Sequence, residues 1–262
     1  MLDITIGQYI PGNSLVHRTD PRVKIILTIF YMAVVFFIRS YPGFLMFILF
    51  TLATIISTGI PLKYTLKSLK PILLIVVFAG IINIFTIEGR PVFEYGFLHI
   101  TYEGIDTAVK MALRLMLLIV GASLLTLTTT PISLTDGIEK LLTPFSKVGL
   151  PAHEIAMMMT IALRFIPTLL EETDKIMKAQ ASRGADFDTG NIIQRARSFV
   201  PVLVPLFISA FRRAEDLATA MEARCYRGSK GRTRMKQLKM SRVDLLVTSI
   251  LVVFSGAVLY LQ

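Results

Sequence analysis

Two arginines close helix-like stretches in the polar part of this chain of 262 residues. Arg183 stands in Ser182-Arg183-Gly184, and Arg224 stands 41 positions later in Ala223-Arg224-Cys225. We call these triplets the first tip and the second tip. A guanidinium presents five donors in a planar fork that fits a carboxylate, and a cation interacts favourably with the C-terminal end of a helix. A single arginine of this kind is usually a helix cap, but two in one basic region favour docking of a soluble partner.

Recognisable catalytic and metal-binding patterns are absent from the sequence. His17, His99 and His153 belong to three separate segments and lack the spacing of metal ligands. Cys225 is the one cysteine, which excludes an internal disulfide and a thiolate metal cluster. No Gly-x-x-x-x-Gly-Lys-Ser/Thr loop is present to bind nucleotide phosphates. We therefore expect no cofactor, no metal site and no enzymatic activity, and any energy source must lie on another protein.

A cluster of acidic residues offers a different hypothesis. The carboxylates concerned are Glu171, Glu172, Asp174 and Asp186. Carboxyl groups can act as general acids and bases, which would make the chain a polytopic membrane enzyme with a site on its cytoplasmic face. Lys175 and Lys178 lie at helical spacing from the cluster, a pattern typical of ion pairs on a solvated helix face. The enzyme hypothesis predicts activity of the purified chain.

The composition is that of a protein that crosses a membrane several times. Hydrophobic residues make up 53% of the chain, charged residues only 18%, and the mean hydropathy is +0.64. The formal net charge of +10 does not indicate a nucleic-acid partner, because the basic residues lie between apolar segments, where membrane topology accounts for them. We expect the lipid bilayer to be a partner and nucleic acid not to be one.

Five apolar segments approach the length of about 20 residues that a bilayer-spanning helix needs. They are residues 23–38, 42–58, 71–86, 107–128 and 244–261. Two further apolar runs, 155–170 and 199–211, contain or adjoin arginines and are interrupted by Pro167 and Pro205. We interpret these two runs as helices at the membrane surface or packed within the fold. The predicted fold class is an all-α membrane protein with about five transmembrane helices.

The distribution of basic residues predicts the orientation of these spans. If the N-terminus is cytoplasmic, 24 of the 28 Lys and Arg residues lie in cytoplasmic segments. Basic residues are in excess on the cytoplasmic side of membrane proteins, so we predict a cell-membrane location with the N-terminus inside and the C-terminus outside. Lys110 and Arg114 lie in the fourth span near its outer end. We expect them to extend to the outer interface, the alternative being a functional role inside the span.

The spans divide the chain into three predicted regions. Residues 1–130 hold four spans, residues 131–243 form a cytoplasmic or interfacial helical region, and residues 244–262 form the last span. Two long helices are expected in the middle region, one from about Leu150 to Ser182 and the other from about Phe199 to Arg224, and each ends at a tip. Alanines at 210, 214 and 218 could pack the second helix closely against the first, or could simply favour helix formation.

Three motifs of this sequence, taken together, point to one known family. The first begins with Arg164-Phe165-Ile166-Pro167 and continues to the first tip, and the second runs from Ala214-Glu215-Asp216-Leu217 to the second tip. The third, His17-Arg18-Thr19-Asp20-Pro21, precedes the first span. In type and order they resemble the transmembrane T component of energy-coupling factor transporters, the CbiQ/EcfT family, over nearly the whole chain. Two departures are Ser182, where alanine is common, and Cys225, where glycine is common.

The resemblance implies a scaffold and coupling subunit of an ABC-type importer for a vitamin or a transition-metal ion. The implied partners are two cytoplasmic ABC-type ATPases and a separate membrane protein, the S component, that binds the substrate. By match to the family's arginine motifs, the residues that would contact the ATPases are Ser182, Arg183, Gly184, Ala223, Arg224 and Cys225. Closure of the ATPases on ATP would move the two long helices and, through them, the S component. The substrate itself does not follow from this chain.

Overall fold

The structure, a computed structural model, describes residues 9–95, 98–187, 189, 191–228, 238 and 240–261. Within these residues the chain is almost entirely helical, and the predicted all-α class is confirmed. The elements in chain order are α1 (Leu15–Arg18), α2 (Pro21–Phe37), α3 (Tyr41–Thr58), α4 (Leu62–Thr86), β1 (Pro91–Tyr95), β2 (Leu98–Thr101), α5 (Tyr102–Thr128), α6 (Pro131–Leu142), a 3-10 helix (Thr143–Val148), α7 (Ala152–Ser182), α8 (Ile192–Ser198), α9 (Val200–Ala223) and α10 (Arg242–Tyr260).

The chain forms two compact units. The first contains α1 to α6, the two strands and α10, and the second contains the 3-10 helix, α7, α8 and α9. The division into three regions at residues 130 and 243 stays a prediction.

The apolar core of the first unit lies where α2, α3, α5 and α10 meet. Its buried side chains are Tyr31, Val34, Val35, Ile38, Phe44, Phe47, Leu117, Leu251 and Val258. Phe50 of α3 stacks on Phe254 of α10, with ring centroids 4.4 Å apart. Each helix buries one stripe of its surface here and leaves large apolar side chains exposed elsewhere, as expected for helices whose other faces meet lipid.

Helices α2 and α5 are antiparallel, and a basic side chain of each one donates a hydrogen bond to the C-terminal end of the other. Nζ of Lys24, in the first turn of α2, donates to the carbonyl oxygen of Thr128 at 2.9 Å. Nη2 of Arg114, in α5, donates to the carbonyl oxygen of Ile38, the residue that caps α2, also at 2.9 Å. The last carbonyls of a helix have no partner within the helix. Arg114 therefore stabilises the end of α2. This structural role differs from both alternatives left open by the sequence, which were extension to the outer interface and a functional role inside the span.

Lys110 also has a local partner. Its Nζ lies 2.7 Å from Oδ2 of Asp106, one turn earlier in α5, and 5.0 Å from the centre of the Tyr41 ring. The Tyr41 hydroxyl donates to Oδ1 of the same carboxylate. Lys110 thus ties the first turns of α5 to the start of α3.

The last helix, α10, is attached to the start of α2 through Asp244. This carboxylate is 4% exposed; its Oδ1 accepts from the backbone N–H of Asp20 at 2.7 Å, and its Oδ2 accepts from that of Ser241 at 2.6 Å. Asp20 in turn caps α2 by accepting from the N–H of Arg22, and Pro21 occupies the first helical position. One buried carboxylate therefore caps its own helix and joins the two ends of the unit.

Five helices of the described chain are long and apolar enough to cross a membrane, by length and composition: α3, α4, α5, α7 and α10. Four of them contain predicted spans. The remaining predicted span, 23–38, corresponds to α2, whose 17 residues reach only the lower limit for a bilayer. Helix α7 continues without interruption through Pro167. The sequence interpretation took this proline as a reason against a span at residues 155–170, and that reason does not hold.

An antiparallel hairpin between α4 and α5 was not predicted. Strands β1 and β2 pair with Glu94 opposite His99 and Tyr95 opposite Leu98. The signal was present in the sequence, since aromatic and β-branched residues are frequent between Arg90 and Thr101. His99, one of the three histidines, lies in β2.

At Gly121, the backbone of α5 lies close to the ring of Tyr31 in α2. A Cβ added there would lie 2.5 Å from Cε1 of Tyr31. The ring cannot turn away freely, because it is 7% exposed and its hydroxyl is hydrogen-bonded to Thr51 Oγ1 at 2.9 Å and to the carbonyl of Leu117 at 3.3 Å. A larger residue at 121 must therefore separate the two helices.

We predict that Gly121→Ala destabilises the protein, whereas Gly80→Ala, in the interior of α4 with open space around it, does not. Overpacking costs roughly 1–3 kcal/mol and alanine gains about 1 kcal/mol over glycine in a helix, so the two variants should differ by on the order of 2 kcal/mol. Thermal unfolding in detergent measures this difference. Equal melting temperatures for both variants would show that the Tyr31 contact is not tight.

Candidate functional site

The first tip ends α7 in a Schellman motif. Arg183 is the C-cap residue, with φ −90° and ψ 6°. The N–H of Gly184 donates to the carbonyl of Ala181 at 2.9 Å, and the N–H of Ala185 donates to that of Gln180 at 3.0 Å. Gly184 has a φ of +89°, the left-handed conformation that glycine adopts without steric cost. The Arg-Gly pair thus ends the helix as the sequence predicts.

The second tip repeats this geometry at the end of α9. Arg224 caps the helix with φ −93° and ψ 13°. The N–H of Cys225 donates to the carbonyl of Glu222 at 2.8 Å, and the N–H of Tyr226 donates to that of Met221 at 3.0 Å. These are the same two hydrogen bonds as at the first tip. The structure therefore gives both arginines the same position in the same backbone motif.

Both tips lie on the surface of the second unit. The six residues of the predicted site, Ser182, Arg183, Gly184, Ala223, Arg224 and Cys225, are all exposed. Neither guanidinium forms a hydrogen bond or an ion pair with another described residue. Each is thus accessible to a carboxylate or to backbone carbonyls of a partner. That a partner binds them stays a prediction.

Cys225 differs from its counterpart Gly184 in carrying a Cβ. Its φ of +54° is the one positive φ of a non-glycine residue in the described chain. A left-handed conformation costs an L-residue roughly 1–2 kcal/mol relative to the right-handed one. The second tip is therefore more strained than the first, although its hydrogen bonds are intact.

Helices α7 and α9 lie antiparallel. Residues taken in order along α7 contact residues of α9 and the turn after it in the reverse order: Met157 with Tyr226 (3.0 Å), Glu172 with Arg213 (2.8 Å) and Gln180 with Pro201 (3.4 Å). Because each tip is the C-terminal end of its helix, the two tips lie at opposite ends of this pair.

The face of α9 that packs is not the alanine face. The side chains that are buried or half-buried along α9 recur every three or four residues: Val202, Leu206, Ser209, Ala210, Arg213, Leu217 and Met221. Ala214 and Ala218 are exposed. The hypothesis that alanines 210, 214 and 218 form the contact surface is therefore wrong for two of the three, and these two act as helix-favouring surface residues.

The carboxylates of the alternative hypothesis are mostly engaged in structural contacts. Asp174 pairs with Lys178 one turn later, at 2.6 Å. Glu172 pairs with Arg213, and Asp186 accepts from the backbone N–H of Thr189 at 3.1 Å. The Glu172–Arg213 contact was missed from the sequence, although its spacing of 41 residues equals that between the two tip arginines.

The histidines of the described residues do not assemble into a metal site, since no three potential ligands among His, Cys, Asp and Glu lie together there. His17 lies between Ser14 and Ile10, with Nε2 3.1 Å from the carbonyl oxygen of Ile10. Because a carbonyl only accepts, Nε2 carries the proton. Burial lowers the pKa of His17 below its ordinary value, with a further lowering by the charge of Lys24 and an opposing effect of the Ile10 hydrogen bond.

Comparison with known proteins identifies the family. Residues 12–235 match the CbiQ family, described as cobalt transport protein. The chain belongs to this family. The resemblance inferred from the sequence motifs is thereby confirmed, and membership in a family of transporter membrane components implies a protein that is not an enzyme.

Several known proteins are similar to this chain over nearly their whole length. A protein of Ruminiclostridium cellulolyticum is 68% identical over 260 residues, which are 99% of this chain and 97% of the relative. A protein of Thermosediminibacter oceani is 62% identical over 94% of this chain and 92% of its own length. A protein of Bacillus subtilis is 47% identical over 100% of both chains. All three are named energy-coupling factor transporter transmembrane protein EcfT.

We predict that Cys225→Gly stabilises the second tip of this CbiQ family member and that the matched change Gly184→Cys destabilises the first. Glycine relieves the left-handed strain but costs conformational entropy, so each change should amount to about 1 kcal/mol or less, with opposite signs. Hydrogen exchange of the amides at positions 184–185 and 225–226 reports each tip separately. Faster exchange at the second tip of Cys225→Gly would contradict the prediction.

Proposed function

We propose that this chain is the transmembrane scaffold and coupling subunit of an energy-coupling factor importer. The observation that carries the proposal is similarity over nearly the full length, for example 68% identity over 99% of the chain, to proteins named as the transmembrane protein of such transporters. Five helices that could cross a membrane support a multi-pass membrane location. The sequence has no nucleotide-binding loop of its own, so ATP hydrolysis must occur on a partner.

The partners we propose for the two tips are two ABC-type ATPases in the cytoplasm. Two arginine caps of the same backbone geometry, both exposed, suit two equivalent receptor sites. A guanidinium binds a carboxylate through two parallel hydrogen bonds, and a helix end presents it in a fixed position. Arg183 and Arg224 are then the anchoring side chains, and their neighbours in the triplets form the surrounding contact surface.

The third partner is a membrane S component that binds the substrate. Closure of the ATPases would displace the tips, and α7 and α9 would transmit the displacement to the membrane-embedded part and to the S component. The substrate class is a vitamin or a transition-metal ion, and the family's description as cobalt transport protein agrees with the second of these. This chain itself would hold the S component in place, and the substrate would be bound by the S component. The chain would require no cofactor.

The enzyme alternative has less support. Glu172 and Asp174 are held in ion pairs and Asp186 in a turn, and only Glu171 of the four carboxylates is exposed without a described contact. General acid–base catalysis needs at least one positioned group with a suitable proton affinity. A single exposed surface carboxylate does not provide such a site.

We predict that charge reversal of the tips, Arg183→Glu with Arg224→Glu, abolishes binding of the ATPases. An arginine that anchors an interface contributes enough that each reversal should weaken binding roughly thirtyfold or more. Co-purification of tagged chain with the two ATPases from detergent-solubilised membranes measures binding, and substrate uptake by cells measures the consequence.

The matched control for the tip variants is Arg212→Glu. Arg212 is also an exposed arginine of α9, twelve residues before the second tip, and the charge change is identical. We expect this control to retain the ATPases. Full uptake by the double tip variant, with its amount in the membrane unchanged, would refute the docking role of the tips.

We also propose that the N-terminus is cytoplasmic and the C-terminus external. Single cysteines in a Cys225→Ser background test this orientation, because Lys63 precedes the apolar part of α4 and Glu88 follows it, both exposed. We predict that a membrane-impermeant maleimide labels Glu88→Cys in intact cells and labels Lys63→Cys only after permeabilisation. The reverse pattern would invert the proposed topology.

A further inference from the structure

The ion pair between Glu172 and Arg213 occupies equivalent positions on α7 and α9. Glu172 precedes Arg183 by 11 residues, and Arg213 precedes Arg224 by 11 residues. Oε2 of Glu172 lies 2.8 Å from Nη2 of Arg213. The contact therefore lies midway between the two tips, 11 residues from the arginine of each.

This midpoint gives the two tips equal distances from the contact. Eleven residues of α-helix extend about 16 Å, and because the helices are antiparallel the tips are separated by about 33 Å along the pair. Two ATPases that close symmetrically need two receptors placed symmetrically. A slip of one helix by a single turn would change the separation of the two tips by about 5 Å.

The segments between the ion pair and the tips are built to be stiff. Residues 172–182 and 213–223 contain neither proline nor glycine and are rich in alanine, glutamate, lysine and methionine, which favour helix. The helix-interior prolines, Pro167 and Pro205, both precede the ion pair. Bending at proline is thereby confined to the parts of α7 and α9 that lie outside the two 11-residue arms.

The surroundings of the ion pair are mostly apolar, the polar exception being the hydroxyl of Ser209, 3.5 Å from Nε of Arg213. Along the same faces, the neighbouring half-buried side chains are Leu169, Ile176, Leu206 and Leu217. Apolar contacts between helices tolerate sliding by a turn, whereas a charged pair has one favourable register because a slipped register leaves a half-buried charge unpaired. The ion pair thus favours one register of this interface, together with the hydrogen bond from Gln180 to the carbonyl of Pro201.

We propose that Glu172 and Arg213 are positioning residues that fix the register of α7 against α9, and so hold Arg183 and Arg224 as a symmetric pair at constant separation. The proposal rests on the proposed function, because a fixed separation matters only if both tips are engaged at once. Under this proposal, the ion pair controls how well ATP hydrolysis is coupled to transport. It does not take part in recognition of the ATPases.

The separation of the tips can be measured directly. The chain has one native cysteine, Cys225 in the second tip, and Ser182→Cys adds one in the first. Spin labels on this pair, in the full chain in lipid nanodiscs, should give one narrow distance distribution by double electron–electron resonance. We expect Glu172→Arg or Arg213→Glu alone to broaden or shift it, and the double reversal Glu172→Arg/Arg213→Glu to restore it.

Transport is then measured on the same charge variants without the labelling changes. Each single reversal should retain both ATPases on purification but lower substrate uptake per ATP hydrolysed, by roughly five- to tenfold. The double reversal should recover at least half of the coupling. The matched control is Asp174→Lys/Lys178→Asp, which swaps an exposed ion pair within α7 and should change neither the distance distribution nor the coupling.

The outcomes separate this proposal from the docking role of the tips. Unchanged distances and coupling in the single reversals, or failure of the double reversal to recover either one while it folds and inserts normally, overturns the positioning role. In that case the tip variants still decide the docking role. Retention of the ATPases by Arg183→Glu/Arg224→Glu overturns the proposed function, whatever the distances are.

Discussion

The first unit depends on two basic side chains, one from α2 and one from α5, each of which binds the C-terminal end of the other helix. Lys24 is 7% exposed, and its ammonium group donates to the carbonyl of Thr128 and to the hydroxyl of Thr129 at the end of α5. Arg114 donates to the carbonyl of Ile38 at the end of α2. Thr128 and Ile38 are buried within the protein, at 3% and 0% exposure, so water does not satisfy these last carbonyls of the two helices. Each helix end therefore needs the other helix, and neither is complete alone.

These two contacts also fix how α2 and α5 are aligned. In each helix, 14 residues separate the cation from the carbonyl that receives the partner's cation, a span of about 21 Å. Two polar contacts that far apart permit one register of an antiparallel pair. In that register the Tyr31 ring lies against the bare backbone of Gly121, and its hydroxyl finds acceptors on α3 and α5. Asp244 then attaches α10 to the start of α2.

The sequence was sufficient for most features that depend on neighbouring residues, although the hairpin of β1 and β2 was missed. Apolar runs gave the helices of the membrane region, and Arg183 followed by Gly184 gave the end of α7, since an Arg-Gly cap is specified by neighbouring residues. It was insufficient where the partner is distant: the acceptor of Arg114 lies 76 positions away, and the partner of Glu172 lies 41 positions away. The end of α9 at Arg224 was predicted, but the left-handed conformation of Cys225 was not, because cysteine is not a residue type that usually adopts a positive φ.

In both units, charged side chains favour one register between two antiparallel helices. The consequence differs between the units. In the first unit the cations hold helix ends, so the contact limits movement along the whole length of α2. In the second, Glu172 and Arg213 hold the middle of a pair, leaving two stiff arms toward the tips and a proline in each helix on the other side. Under the proposed function, a force on Arg183 and Arg224 cannot be absorbed by the arms. The parts of α7 and α9 that bend most easily under such a force are those near Pro167 and Pro205, where a missing N–H weakens the helix.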